Sequence, residues 1–307
     1  MTGKCPAVAN RAAAMRNIVR AAVFALIVSL AAPSMAQDFE TGMEAAERGD
    51  FAAALNELRP LAEQGSAKAQ YILGFIYGNG YGVQQDLAEA AKWFRMAAEQ
   101  GNADAQSRLG IMYARGVGVP RDPAEALKWY RQAADQGVAV AQLNLAIMYD
   151  LGTDVTQDFA EAAKWYREAA EQGDVAAQHN LALSYSDGLG VTQDDAEALT
   201  WFRRAAEQGY APAQNNLGLV YLYGETGPRD LVQAYLWLHL AARRVEEGLP
   251  KILDMVESWM SPEELAEAEK LVRDWRPEPA SPPRSPLNAL SGSREEREHS
   301  PSDRPQR

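Results

Sequence analysis

Asn102–Gly137 reads NADAQSRLGIMYARGVGVPRDPAEALKWYRQAADQG, and the same pattern returns along the chain at an interval of 36 residues. Stepping by that interval from Gly65 reaches Gly101, Gly137, Gly173 and Gly209, each preceded by Gln and an acidic residue. Stepping likewise from Trp93 reaches Trp129, Trp165, Trp201 and Trp237. A period of this length marks stacked supersecondary units rather than one globular core.

Each unit reads as two helices and two turns. Ala105, Leu109, Met112 and Tyr113 draw one apolar stripe on a first helix, which Gly116 and Gly118 end. The second helix opens with Asp122-Pro123-Ala124-Glu125, an acidic N-cap, proline at the first helical position and Glu at N3 to reach back to the cap amide. The same cap recurs as Asp86 with Glu89, Asp158 with Glu161, Asp194 with Glu197 and Asp230 with Gln233. Local duties of this kind account for most of the acidic residues, which are therefore read as caps and not as metal ligands or a catalytic pair. Ala126, Trp129, Tyr130, Ala133 and Ala134 form the buried stripe of the second helix, and the repeated indoles are read as core rather than binding surface. No unit can stand alone, because a handful of large side chains does not offset the ordering of a whole repeat.

In combination, Ala105-Gln106, Leu109-Gly110, Tyr113, Gly116-Val117-Gly118-Val119, Asp122, Glu125-Ala126, Trp129-Tyr130 and Ala133-Ala134 before Gly137 resemble the Sel-one-like repeat, a branch of the tetratricopeptide superfamily. The resemblance covers Ser66 to Arg244 and implies an all-α fold, a right-handed α/α superhelical solenoid of stacked helix-turn-helix repeats of 36 residues. Local departures occur: Asp154 and Thr226 replace the second turn glycine, Ala146 and Ala182 the glycine after leucine, and Val245 the terminal glycine.

The expected organisation is a signal peptide over 1–36, a capping half-repeat over 37–65, five repeats (66–101, 102–137, 138–173, 174–209, 210–245), capping helices over 246–276 and a disordered tail over 277–307. The leader carries Lys4, Arg11, Arg16 and Arg20 before an apolar run Ala21–Ala32 and a small-x-small site Ser34-Met35-Ala36. That run is shorter than the roughly 20 residues a bilayer span requires, so cleavage after Ala36 and export to the periplasm are expected, not anchoring. The one cysteine, Cys5, leaves with the leader, so stability without disulfides must come from stacking. Net charge moves from −12 to −16, since the leader takes four positive charges and no negative one. Such a surface argues against nucleic acid and against an anionic membrane face. Near the other end, Leu249-Pro250 leads a helix through Ile252, Val256 and Trp259. Ser261-Pro262-Glu263-Glu264 then caps a second helix carrying Leu265, Ala268, Val272 and Trp275. This pair resembles the closing helices of exported bacterial members of the family.

The search for chemistry finds little. His179, His239 and His299 lie apart without an i+4 partner, Gly78-Asn79-Gly80-Tyr81-Gly82 is a helix-joining turn with no following Lys-Ser/Thr, and no Gly-x-Ser-x-Gly elbow occurs. His179 is read as a partly exposed helix residue. No catalytic residue, cofactor or metal is expected, and the chain is read as a non-enzymatic adaptor that holds a protein or peptide partner in its groove. The resemblance places exported relatives in envelope signalling and exopolysaccharide control. The alternative is a hydrolase or ligand-binder acting on peptidoglycan or β-lactam. Relatives proposed to bind penicillin are cysteine-rich, and this chain lacks their paired cysteines.

The candidate partner-binding residues stand just before the repeat leucine of the first helix: Asn144, Asn180 and Asn216, with Arg108 one unit earlier and Ile72 before that. On a helix turning ~100° per residue, Asn144 sits roughly 85° from the centre of the Ala141, Leu145, Met148, Tyr149 face, hence at its edge. In tetratricopeptide-like stacks the first helices line the concave side. Amides there would form a ladder suited to the backbone of an extended peptide. Alternatively, each amide binds only local backbone or water.

Overall fold

The computed structural model describes residues 38–152, 154–224, 227–243 and 249–278. The leader Met1–Ala36, Thr226, Val245 and the tail beyond Glu278, with His299, lie outside the described residues. Two compact units are formed, whose described parts are residues 38–100 and 101–278.

In the first unit, α1 (38–47) precedes α2 (Phe51–Glu63), α3 (Ala67–Asn79) and α4 (Leu87–Glu99). In the second, α5 (Ala103–Arg115), α6 (Pro123–Asp135), α7 (Ala139–Leu151), α8 (Phe159–Glu171), α9 (Val175–Asp187), α10 (Asp195–Glu207), α11 (Ala211–Tyr223) and α12 (Leu231–Ala242) follow in turn. Two closing helices, α13 (Leu249–Trp259) and α14 (Pro262–Asp274), pack on α12. From α2 to α4 in the first unit and from α5 to α13 in the second each helix packs on the next in sequence, and no strand forms among the described residues. The fold is an all-α solenoid of helix-turn-helix repeats. We call the odd-numbered helices α3 to α11 the A helices and the even-numbered helices α4 to α12 the B helices.

The repeat residues explain these elements one contact at a time. Gly116 ends α5 at φ +68°, and a Cβ there would stand 3.2 Å from the Cβ of Arg121, so the turn requires glycine on two counts. The cap aspartates accept as expected, Asp122 from the amides of Ala124 and Glu125. The N3 glutamates do not return to the cap amide, however. That amide already donates across the turn to the preceding A helix, Asp122 to the Tyr113 carbonyl and Asp158 to the Tyr149 carbonyl. Glu125 and Glu161 turn instead to the indole N–H of Trp129 and Trp165 one helical turn on, at 2.9 and 3.1 Å. Among the described residues a complete capping box forms where no such turn bond competes, at Ser261 and Glu264.

The five tryptophans that recur at the 36-residue interval are core, each between 6 and 8% exposed. Repeats are also joined by two polar ladders. Buried Gln142 donates to the Ala134 carbonyl of the preceding B helix and accepts from Gln172, and Gln178 does the same with Ala170 and Gln208. Arg131, Arg167 and Arg203 each donate to the hydroxyl of a tyrosine on the next A helix, Tyr149, Tyr185 and Tyr221. Such bonds satisfy buried carbonyls and fix the register of one repeat on the next.

At the closing end, Val256, Ala268 and Val272 are buried, whereas Trp259 is 47% exposed beneath the Arg229 guanidinium. Trp275 caps α14 and lies against Gly209. The next residues of the stretch assigned to the tail return to α10: Pro277 also faces Gly209, and the Glu278 amide donates to the Glu207 carbonyl at 2.9 Å.

Candidate functional site

The candidate residues stand on the A helices α5, α7, α9 and α11 of the second unit, at the edge of the buried stripe. Arg108 is exposed, and Asn144, Asn180 and Asn216 are half-buried. The matching position of the first unit, Ile72, is fully buried. Beside them on the same helices run Ile111, Ile147, Leu183 and Leu219, each half-buried, so the face presents one aliphatic side chain and one polar side chain per repeat.

The amides do not form equal, free rungs. Asn144 bends back and donates to the Val140 carbonyl at 2.7 Å, the local bond open to an amide on a helix. Asn180 and Asn216 are brought together by a residue that the sequence reading left as an ordinary helix position, His179. Its Nδ1 donates to Asn180 Oδ1, and its Nε2 accepts from the Asn216 amide, both at 3.2 Å. Accepting at Nε2 requires the neutral ring. Burial lowers the His179 pKa, and the weaker opposing influence is its bond to Asn180. The ring also lies edge-on to Tyr210 and tilted against Phe202.

From Asn180 the bonding continues to the Tyr166 hydroxyl on α8, which donates to Asp150 Oδ2 at 3.0 Å. Burial raises the Tyr166 pKa most, and the Asp150 charge and its hydrogen bond raise it further. Tyr130, at the matching position one repeat earlier, is pushed up to about 12 by burial, with the Arg115 charge opposing.

This arrangement presents hydrogen-bond donors and acceptors of the kind that recognition uses. Among the described residues no group of three or more His, Cys, Asp or Glu is placed to hold a metal ion, and no helix is long and apolar enough to cross a membrane. The polar partners of His179 are the amides of Asn180 and Asn216.

The Sel1 repeat family model matches residues 67–102, 103–138, 139–174, 175–210 and 211–244, more than half of the chain. Among solved structures the chain is similar to c5321, a protective antigen present in uropathogenic Escherichia coli strains displaying an SLR fold. Identity there is 32% and the TM-score 0.68 over 84% of this chain, which spans only 54% of that one. It is also similar to a Sel1 repeat protein from Oxalobacter formigenes, at 30% identity and a TM-score of 0.66, covering 79% of this chain and 99% of the other. No curated protein matches.

Proposed function

We propose, from the premise that this chain belongs to the Sel1 repeat family, that it is a periplasmic adaptor holding an extended protein segment along the A-helix face of its second unit. Proteins of this family are generally protein–protein interaction scaffolds. The observation that carries the reading is the contrast between two sets of positions. Inward positions such as Leu109, Leu145, Leu181 and Leu217 repeat unchanged and fully buried, whereas at the outer edge Arg108 gives way to Asn144, Ala114 to Asp150, and Leu143 to His179 and then Asn215. Stacking demands the first set and is indifferent to the second. A half-open row of aliphatic side chains flanked by amides offers apolar contact and paired donors and acceptors to a peptide backbone.

The leader Met1–Ala36 supports export, as does the similarity to a protective antigen. Mass spectrometry of the exported protein should find Gln37 at its start; a retained leader in the membrane fraction would contradict the assignment. The adaptor reading is tested with mature protein as bait against an envelope extract, beside a variant in which Asn144, Asn180 and Asn216 are all Ala. A discrete partner captured by the first and lost by the second supports it. Turnover of a β-lactam or muropeptide by purified protein would replace it with the enzymatic alternative.

A further inference from the structure

Six side chains of the second unit form one directed series of hydrogen bonds that stacking does not require. Asn215 donates to Asn216 Oδ1 at 3.3 Å, Asn216 to His179 Nε2 and His179 Nδ1 to Asn180 Oδ1. The Asn180 amide then meets the Tyr166 hydroxyl, which donates to Asp150 Oδ2. Every donor points the same way, and the series ends on a carboxylate. Linked bonds of one direction polarise each other, and here they converge on one oxygen of a half-buried Asp150.

One repeat earlier the positions of His179 and Asn180 are filled by Leu143 and Asn144, and that of Asp150 by Ala114; no such series is possible there. Asp150 makes no ion pair among the described residues. On the flanking elements Arg121 pairs with Asp154 and Lys164 with Glu161, while Arg131 and Arg167 donate to Tyr149 and Tyr185. Its carboxylate therefore has one oxygen held by Tyr166 and no cationic partner in an ion pair among the described residues.

We infer that Asp150 anchors a Lys or Arg side chain of the bound segment, the Asn215-to-Tyr166 series fixing the orientation of the carboxylate for it. This rests on the adaptor reading and names what the partner must carry. The sign of charge selects the occupant: an ammonium or guanidinium completes the carboxylate, and the chain's net charge of −12 attracts cationic segments in general. Arg108 is exposed on α5, which packs against α7, and supplies the opposite sign on the same face. Adjacent helix axes ~10 Å apart and a rise of ~9 Å over six residues put the two charges ~13 Å apart, about four extended residues. A segment with an acidic and a basic residue at that separation fits in one direction only.

Fluorescence polarisation with labelled hexapeptide pools, each with Lys, norleucine or Glu fixed at one position, reads this on the mature chain. The Lys pools should bind at least tenfold more tightly than norleucine pools of equal length. Asp150→Asn, which keeps an acceptor for Tyr166, should bring Lys and norleucine pools to equal affinity. If Asp150→Asn fails to fold, the wild-type preference should still shrink as salt is raised, because it is electrostatic. Equal binding of Lys and norleucine pools, or a preference that survives Asp150→Asn, would overturn the anchor and leave the adaptor reading standing. Failure of every pool to bind would overturn both.

Discussion

Two neighbouring repeats, 102–137 and 138–173, show what the solenoid dictates and what it leaves open. Leu109 and Leu145 are both fully buried, Trp129 and Trp165 both 6% exposed, and Arg131 and Arg167 both hold the tyrosine of the next A helix. At the outer edge the two part company: Arg108 faces Asn144, and Ala114 faces Asp150, across the alignment. Inward positions touch two repeats at once and so admit one solution, repeated. Outward positions touch at most a local partner and are free to carry recognition.

The sharpest way to break this comparison is to cut into the inward set. Leu145→Ala removes a fully buried side chain and should cost about 2–5 kcal/mol, read by urea unfolding. Less severe is Gly110→Ala. A Cβ there would stand 2.6 Å from the Tyr130 ring, so overpacking should cost about 1–3 kcal/mol, although Ala146 occupies the same position one repeat later at no evident strain. If Gly110→Ala is neutral, the two repeats pack more alike than their sequences indicate.

The pH dependence probes the outward set. Burial holds the His179 pKa below its unfolded value of ~6.5, so the ring's contribution is present above that pH and is lost as pH falls through the folded pKa. His239 is lowered too, by burial and then by Arg243, with Glu257 and Glu269 opposing, and acts in the same direction. Thermal melts from pH 7.5 to 5 should show stability declining toward acid, and His179→Gln, which does not titrate, should make the decline shallower. An unchanged slope would remove His179 from the account. The smallest effect belongs to Asn144→Ala, whose amide serves only Val140; its cost should stay below about 0.5 kcal/mol.

The period, the caps and the buried indoles were legible because each is local or recurs in phase, and Asp122 and Trp129 stand where the spacing puts them. The destination of Glu125 was not legible, since the cap amide it would have served is spent on a carbonyl nine residues back, a bond that depends on the turn's path. The glutamine ladder was likewise visible only as part of a family pattern, not as a set of inter-repeat bonds. Least legible was the His179 series. Its members run from Asp150 to Asn216 over three repeats, and each alone is an unremarkable polar residue. The signal that could have found it is departure from the pattern: where repeat 102–137 has Ala114 the next has Asp150, and where it has Ser107 the later repeats have Leu143, His179 and Asn215. The three asparagines were singled out as a ladder, and the structure divides them into one local bond and two members of that series.

The central claim is that the partner lies on the A-helix face of the second unit. It is tested most directly by placing a photo-crosslinking residue at Ile147, half-buried on that face, and in a second protein at Glu168, exposed on the B helix α8. Irradiation in intact envelopes should give a discrete adduct from position 147 and none from 168. An adduct from 168 alone would put the partner on the opposite helices and contradict the assignment of the site.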